Sequence, residues 1–176
     1  MDFLTVMQTY FRGEKIEAAL FIAPAGLLLI ALAIGAWRSE TGGFMWGAVI
    51  PALIFGLMLT GTGIGIAGRT AGQVAALEAG FTADVVAMLQ TEVPRMQKVM
   101  LNFATTQIAF GVIALVGLVL SFGLRSDWAV SSGAVLVAVG GAVLLIDFFA
   151  ERRAHPHVAA LEALAVENGV TVSGKD

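Results

Sequence analysis

The sequence predicts an all-α, polytopic membrane protein, with four transmembrane helices arranged as a tandem parallel repeat of two-helix hairpins and with short cytoplasmic helices. Three observations carry this prediction. Of 176 residues, 58% are hydrophobic and 13% charged, well below the roughly 25% charge of soluble domains. The apolar residues gather in four runs, near 16–37, 45–67, 104–124 and 130–150, each close to the ~20 residues a helix needs to cross ~30 Å of hydrocarbon. Short motifs also recur in the same order in the two halves of the chain, the mark of an internal repeat.

The elements follow in order. Phe3, Val6, Met7 and Tyr10 stand at helical spacing ahead of Arg12 and Lys15, which suits a short helix lying in the membrane interface. A secretory leader would share that basic flank and the small residues Ala31 and Ala33. The first apolar run is longer than the 7–15 residues of such a leader, however. Pro24 and Pro51 are placed to kink the first two helices. Trp37 and Trp46 flank the first hairpin, Arg38-Ser39-Glu40, and Trp128 flanks the second, Arg125-Ser126-Asp127, as an aromatic belt predicts.

The second run is rich in glycine. Gly56, Gly61, Gly65, Gly68 and Gly72 are the predicted helix-packing positions, because small residues four apart let helix backbones approach closely in lipid. Gly63-Ile64-Gly65-Ile66-Ala67-Gly68 has the spacing of a dinucleotide fingerprint. That motif needs a preceding strand and a βαβ unit, and an apolar helix surrounds it here. Further on, Gly80 is the predicted end of the second helix, Val85, Leu89, Val93 and Met96 form the next apolar stripe, and Pro94 interrupts or kinks it. The tail helix is predicted to begin at Pro156 and to stop at Asn168-Gly169.

Basic residues give the orientation. Arg12, Lys15, Arg69, Arg95, Lys98, Arg152 and Arg153 fall on one side and Arg38 and Arg125 on the other. The positive-inside rule therefore places both termini and the middle segment in the cytoplasm of a cell whose inner (plasma) membrane holds the chain. The repeat aligns Arg12-Gly13-Glu14-Lys15 with Arg95-Met96-Gln97-Lys98, Arg38-Ser39-Glu40 with Arg125-Ser126-Asp127, and Val74-Ala75-Ala76-Leu77-Glu78-Ala79 with Val158-Ala159-Ala160-Leu161-Glu162-Ala163. The halves divide as 1–80 and 81–176 within one integral membrane domain. Each half crosses the membrane an even number of times, so the two insert the same way.

The absence of cysteine excludes disulfide and thiolate chemistry. A net charge of -3 without a basic stripe predicts no nucleic-acid partner. No nucleophile elbow, phosphate loop, His-Glu-x-x-His or carboxylate metal cluster is present, so the sequence predicts a non-enzyme without cofactor or metal. His155 and His157 flank Pro156 without further ligands, a weak metal signal.

Polar residues inside the runs are the remaining functional candidates. Asp147, Glu17, Gln107 and Thr106 sit toward the cytoplasmic ends of their helices, with Asn102 just beyond. The outer halves of the third and fourth runs carry only serine. Asp147 reads either as an interfacial carboxylate paired with Lys98, Arg95 or Lys15, or as a proton or cation site. Two function classes follow. The first is a non-catalytic subunit or scaffold that associates with the bilayer, with itself or with another membrane protein through helix packing and cytoplasmic amphipathic helices. The alternative is a small homo-oligomeric carrier or channel with a cytoplasm-facing vestibule around Asp147.

Overall fold

The computed structural model describes residues 2–39 and 41–171, so Glu40 of the first hairpin lies outside the described residues. Regular structure among the described residues is entirely helical. Helix α1 (Phe3–Glu17) passes through a π turn (Ala18–Ile22) into α2 (Ala23–Ser39), forming one rod of 37 residues. Helices α3 (Gly43–Ala83), α4 (Val85–Gly123) and α5 (Asp127–Glu167) follow, with 41, 39 and 41 residues. All four rods are long and apolar enough to cross a membrane.

The separate short helices predicted at the ends are not separate; they are extensions of the long rods. A helix of 41 residues measures about 60 Å at 1.5 Å per residue, twice the ~30 Å of a hydrocarbon core. Pro94 and Pro156 lie inside α4 and α5 instead of breaking them. Both prolines are exposed, as are Gln90 and Arg152 four residues before them. The carbonyls that lose a helical donor therefore open to solvent, which replaces it. Gly80 likewise continues α3, and the break falls at Asp84, whose backbone is extended. Its carboxylate accepts from the Ala87 N–H at 3.0 Å and caps α4. The single residue between the two rods makes this the tightest turn of the chain.

At Pro24 the chain meets the same difficulty inside an apolar run. Proline cannot donate to the Leu20 carbonyl, and its ring crowds that turn. The π turn directly before it widens the helix there, with the Ala23 N–H donating to the Ala18 carbonyl. Gly42, at φ 91°, turns α2 into α3 in a conformation that favours glycine. At the far end, α5 closes with Gly169 at φ 69° and Val170 N–H donating to Ala165 O at 2.8 Å. This is a glycine cap of the Schellman type at the predicted Asn168-Gly169 stop.

Helix α2 packs along α3, α4 packs along α5, and α3 against α5 joins the two hairpins. Glycine makes the crossings close. A Cβ on Gly56 would stand 2.8 Å from Ile30 Cγ1, one on Gly63 would stand 2.6 Å from Ala23 N, and one on Gly117 would stand 2.8 Å from Gly133 O. Gly61, Gly65, Gly68 and Gly72 meet nothing within 4 Å. Of the five predicted packing glycines, only Gly56 packs within the chain, because the other four lie on the face of α3 turned away from α2 and α5. At the tryptophan end, Ser132 Oγ donates to Gly47 O at 2.9 Å across the hairpins.

Two hydrophobic cores result. One, around Ala33, Val49, Ala52, Leu59, Val139 and Val143, lies between the hairpins along the apolar runs. The other, around Met7, Phe11, Leu89, Met96, Leu161 and Ala165, gathers α1 with the far halves of α3, α4 and α5. That second core marks the basic end of the bundle.

Candidate functional site: a polar cavity at the basic end

Helices α1, α4 and α5 each bring polar side chains along one face to the region between the two cores, and α3 brings Arg69. On α1, Tyr10, Glu14 and Glu17 are spaced at i, i+4 and i+7, a single helix face. Asn102 and Thr106 stand one turn apart on α4, and Asp147, Ala150 and Arg153 succeed one another on α5. These stripes enclose a cavity of about 230 Å³ lined by Asp147, Glu17, Asn102 and Thr106 together with Glu14, Arg69, Arg95 and Arg153. Three carboxylates thus face three guanidinium groups. Gln107 is turned elsewhere, donating from Nε2 to Glu151 Oε2 at 2.7 Å.

Glu17, 9% exposed, accepts a hydrogen bond from Arg153 Nη2. Breaking such a buried pair leaves an uncompensated charge and is costly. Glu14 stands 3.5 Å from Arg69, whose side chain is more than half exposed, so this second pair contributes little. Burial raises the Glu14 carboxyl above its ordinary range, and Arg69 partly offsets this. Burial, with the Glu14 charge behind it, pushes the Tyr10 phenol up to about 12. Asp147 forms no ion pair with Lys98, Arg95 or Lys15. The basic partner on its own helix, Arg153, is engaged by Glu17, and Asp147 Oδ2 is buried without a protein partner. Glu14 Oε2 and Arg153 Nε are buried and unpartnered too.

A second polar cluster adjoins this cavity through Tyr10 and Arg95, and sequence reasoning missed it. His157 is wholly buried. Its ring stacks on Tyr10 at 4.7 Å between centroids with 8° between planes, lies 6.1 Å from Phe3, and meets the edge of Phe11 at 5.8 Å. Glu92, 5% exposed, accepts from Arg95 Nε at 2.6 Å and Nη2 at 2.5 Å, the two-point geometry that makes Arg–carboxylate pairs strong. Burial acts to raise the Glu92 carboxyl, but Arg95 and His157 together outweigh it and leave it below its ordinary range. Arg95 is correspondingly raised, chiefly by its hydrogen bond to Glu92. His157 Nε2 stands 3.8 Å from Glu92 Oε1, too far for a hydrogen bond. It acts on Glu92 only through space. The pattern Tyr10, Phe11 and His157 carries no sequence signal, since nothing local tells α1 to meet α5.

His155 and His157 part company: His155 is exposed, 3.8 Å from Glu151, while His157 is enclosed by aromatic rings. Among the described residues, no three His, Asp or Glu side chains converge as a metal site.

Toward the tryptophan end the cavity gives way to close helix contact. Ala23 lies against Gly63, Gly26 against Thr60, and Ile30 against Gly56. No family model, curated protein or solved structure matches this chain.

Proposed function

We propose that the protein is a non-catalytic subunit or scaffold of the inner membrane, with both termini cytoplasmic, acting through its helical extensions and its helix faces. The observation that carries this reading is the division of the rods. One core occupies the apolar runs, and a second occupies the basic end, where α1 and the far halves of α3, α4 and α5 build a protruding bundle. A helical stalk of that kind presents a partner with a rigid surface. The close glycine crossings beyond the polar cavity also favour this reading over transport, since they bring helix backbones into contact along the apolar runs.

A two-fold repeat fits the same bundle. With the register of the first helices moved by two residues from the Arg12/Arg95 alignment, residues 85 apart are buried in pairs (Phe3 and Met88, Met7 and Glu92, Phe11 and Met96), and so are Leu77 and Leu161, 84 apart. This favours descent from a two-helix protein that worked as a dimer.

The carrier reading draws on a different observation, the convergence of Asp147, Glu17, Asn102 and Thr106 on one cavity. Native mass spectrometry of the tagged protein, extracted gently from its own membranes, separates the two. A second protein at fixed ratio is the expected result. A homo-oligomer without partner, together with ion or solute flux that collapses in Asp147→Asn, would overturn the subunit reading.

A further inference from the structure

Beside the polar cavity, on the flank of the bundle, an apolar groove of about 550 Å³ runs between the α1–α2 rod and α5. One end is held by Gly13 and Arg153, which touch, and the other by Ala25 and Ala142. Twelve residues separate Gly13 from Ala25 along one rod, which at 1.5 Å per residue is about 18 Å. That is close to the depth of one leaflet, half of a ~30 Å hydrocarbon core. The walls are Phe21, projecting from the π turn, with Leu145 and Phe149 opposite, each more than half exposed. The groove is therefore open sideways, where a lipid chain enters without crossing the bundle.

Among the described residues, the charged side chains lining the groove are Glu17 and Arg153, at one end, and both also line the polar cavity. The charged end is incomplete in two complementary ways. Arg153 Nε is buried and lacks an acceptor, while Asp147 Oδ2 and Glu14 Oε2 are buried and lack a donor. Each of these omissions is costly while it stands. One apolar chain of leaflet length, ending in a head that carries both an acceptor anion and an N–H-bearing cation, answers all three.

We infer that this groove and the adjoining cavity bind a single ethanolamine phospholipid from the surrounding leaflet, with one acyl chain between Phe21 and Leu145. Its phosphate accepts from Arg153 Nε, and its ammonium donates to the carboxylates of Asp147 and Glu14, once these side chains, closed to solvent in the free protein, turn toward the head. A choline head carries no N–H donor, and a glycerol head donates only neutral O–H groups and brings no positive charge to the two carboxylates. This inference does not depend on whether the protein is a subunit or a carrier.

The test is native mass spectrometry of the full chain from vesicles holding equal amounts of ethanolamine, choline and glycerol phospholipids, counting the lipid that survives stepwise delipidation. One retained lipid, enriched for ethanolamine about ten-fold or more over each of the others, is expected from ammonium–carboxylate hydrogen bonds that only this head supplies. Ala142→Phe and Ala25→Phe fill the groove from opposite walls and should each abolish retention. Arg153→Lys keeps a cation beside Glu17 while removing Nε, and should lower retention of all three phospholipids, whereas Asp147→Leu removes an ammonium acceptor and should lower the ethanolamine enrichment, each with the fold intact by circular dichroism. Retention of the three lipids in equal proportion overturns the inference. So does undiminished lipid retention in folded Arg153→Lys or in either folded groove-filling variant, or undiminished ethanolamine enrichment in folded Asp147→Leu.

Discussion

His157 gives the sharpest test of how the basic end is held together, because its ring is wholly buried while neither ring nitrogen has a hydrogen-bond partner. Its contribution should therefore be that of an aromatic ring and not of an imidazole. Truncation in His157→Ala removes a ring stacked on Tyr10 and flanked by Phe3 and Phe11. Buried aromatic-to-alanine changes cost roughly 3–5 kcal/mol, within which each aromatic pair accounts for about 0.5–1.5 kcal/mol. With roughly 2–4 °C per kcal/mol for a chain of this length, the unfolding midpoint in mild detergent should fall by on the order of 10 °C. His157→Phe keeps the ring and discards two unsatisfied nitrogens. Glu92 retains its two hydrogen bonds from Arg95, so the cost should stay below ~1.5 kcal/mol, as for other volume-conserving swaps. A paired thermal melt of the two variants checks this. If Phe proves as damaging as Ala, the 3.8 Å approach to Glu92 is an essential ion pair and the aromatic account is wrong.

Two further outcomes follow from the geometry. Tyr10 should show its phenolate absorbance near pH 12 instead of 10. Because its folded value is raised, the stability it contributes is complete below pH 10 and declines as pH climbs from 10 through 12, by about 3 kcal/mol for two units; a spectroscopic midpoint close to 10 would contradict the burial. Gly56→Leu should disrupt the α2–α3 crossing, since a Cβ there stands 3.0 Å from the Gly26 carbonyl and 2.8 Å from Ile30, whereas Gly65→Leu, with nothing within 4 Å, should leave the monomer's melting unchanged; equal damage from both would refute the assignment of faces on α3.

Much of the bundle was legible because its signals are local. Four apolar runs of membrane length became four long helices, and Asn168-Gly169 ended the last one as its chemistry suggests. The helix ends were less legible. Gly80 and Pro156 are helix breakers by intrinsic preference, yet α3 and α5 run through both. Packing around Leu77 and Leu161 at the basic end outweighs the loss of one hydrogen bond or a small entropic cost. Glycine faces were half legible: small spacing identified α3 as a close-packing helix, but which of its faces meets α2 depends on rotation about its axis, which spacing does not encode.

By itself, then, the sequence determined the helical class, the number and length of the apolar runs and the clustering of polar groups at one end, because hydrophobicity and turn chemistry act over a few neighbouring residues. Only the tertiary structure decided that Arg153 reaches Glu17, 136 residues away, leaving Asp147 without an ion-pair partner, that Gln107 turns to Glu151, and that His157 enters an aromatic cage. Several basic residues at the same end of the bundle were equivalent candidates for each carboxylate. Which pairs form is settled by the rotation and crossing of helices that are far apart in the chain, and those are set by the close fit of the glycines and the second core.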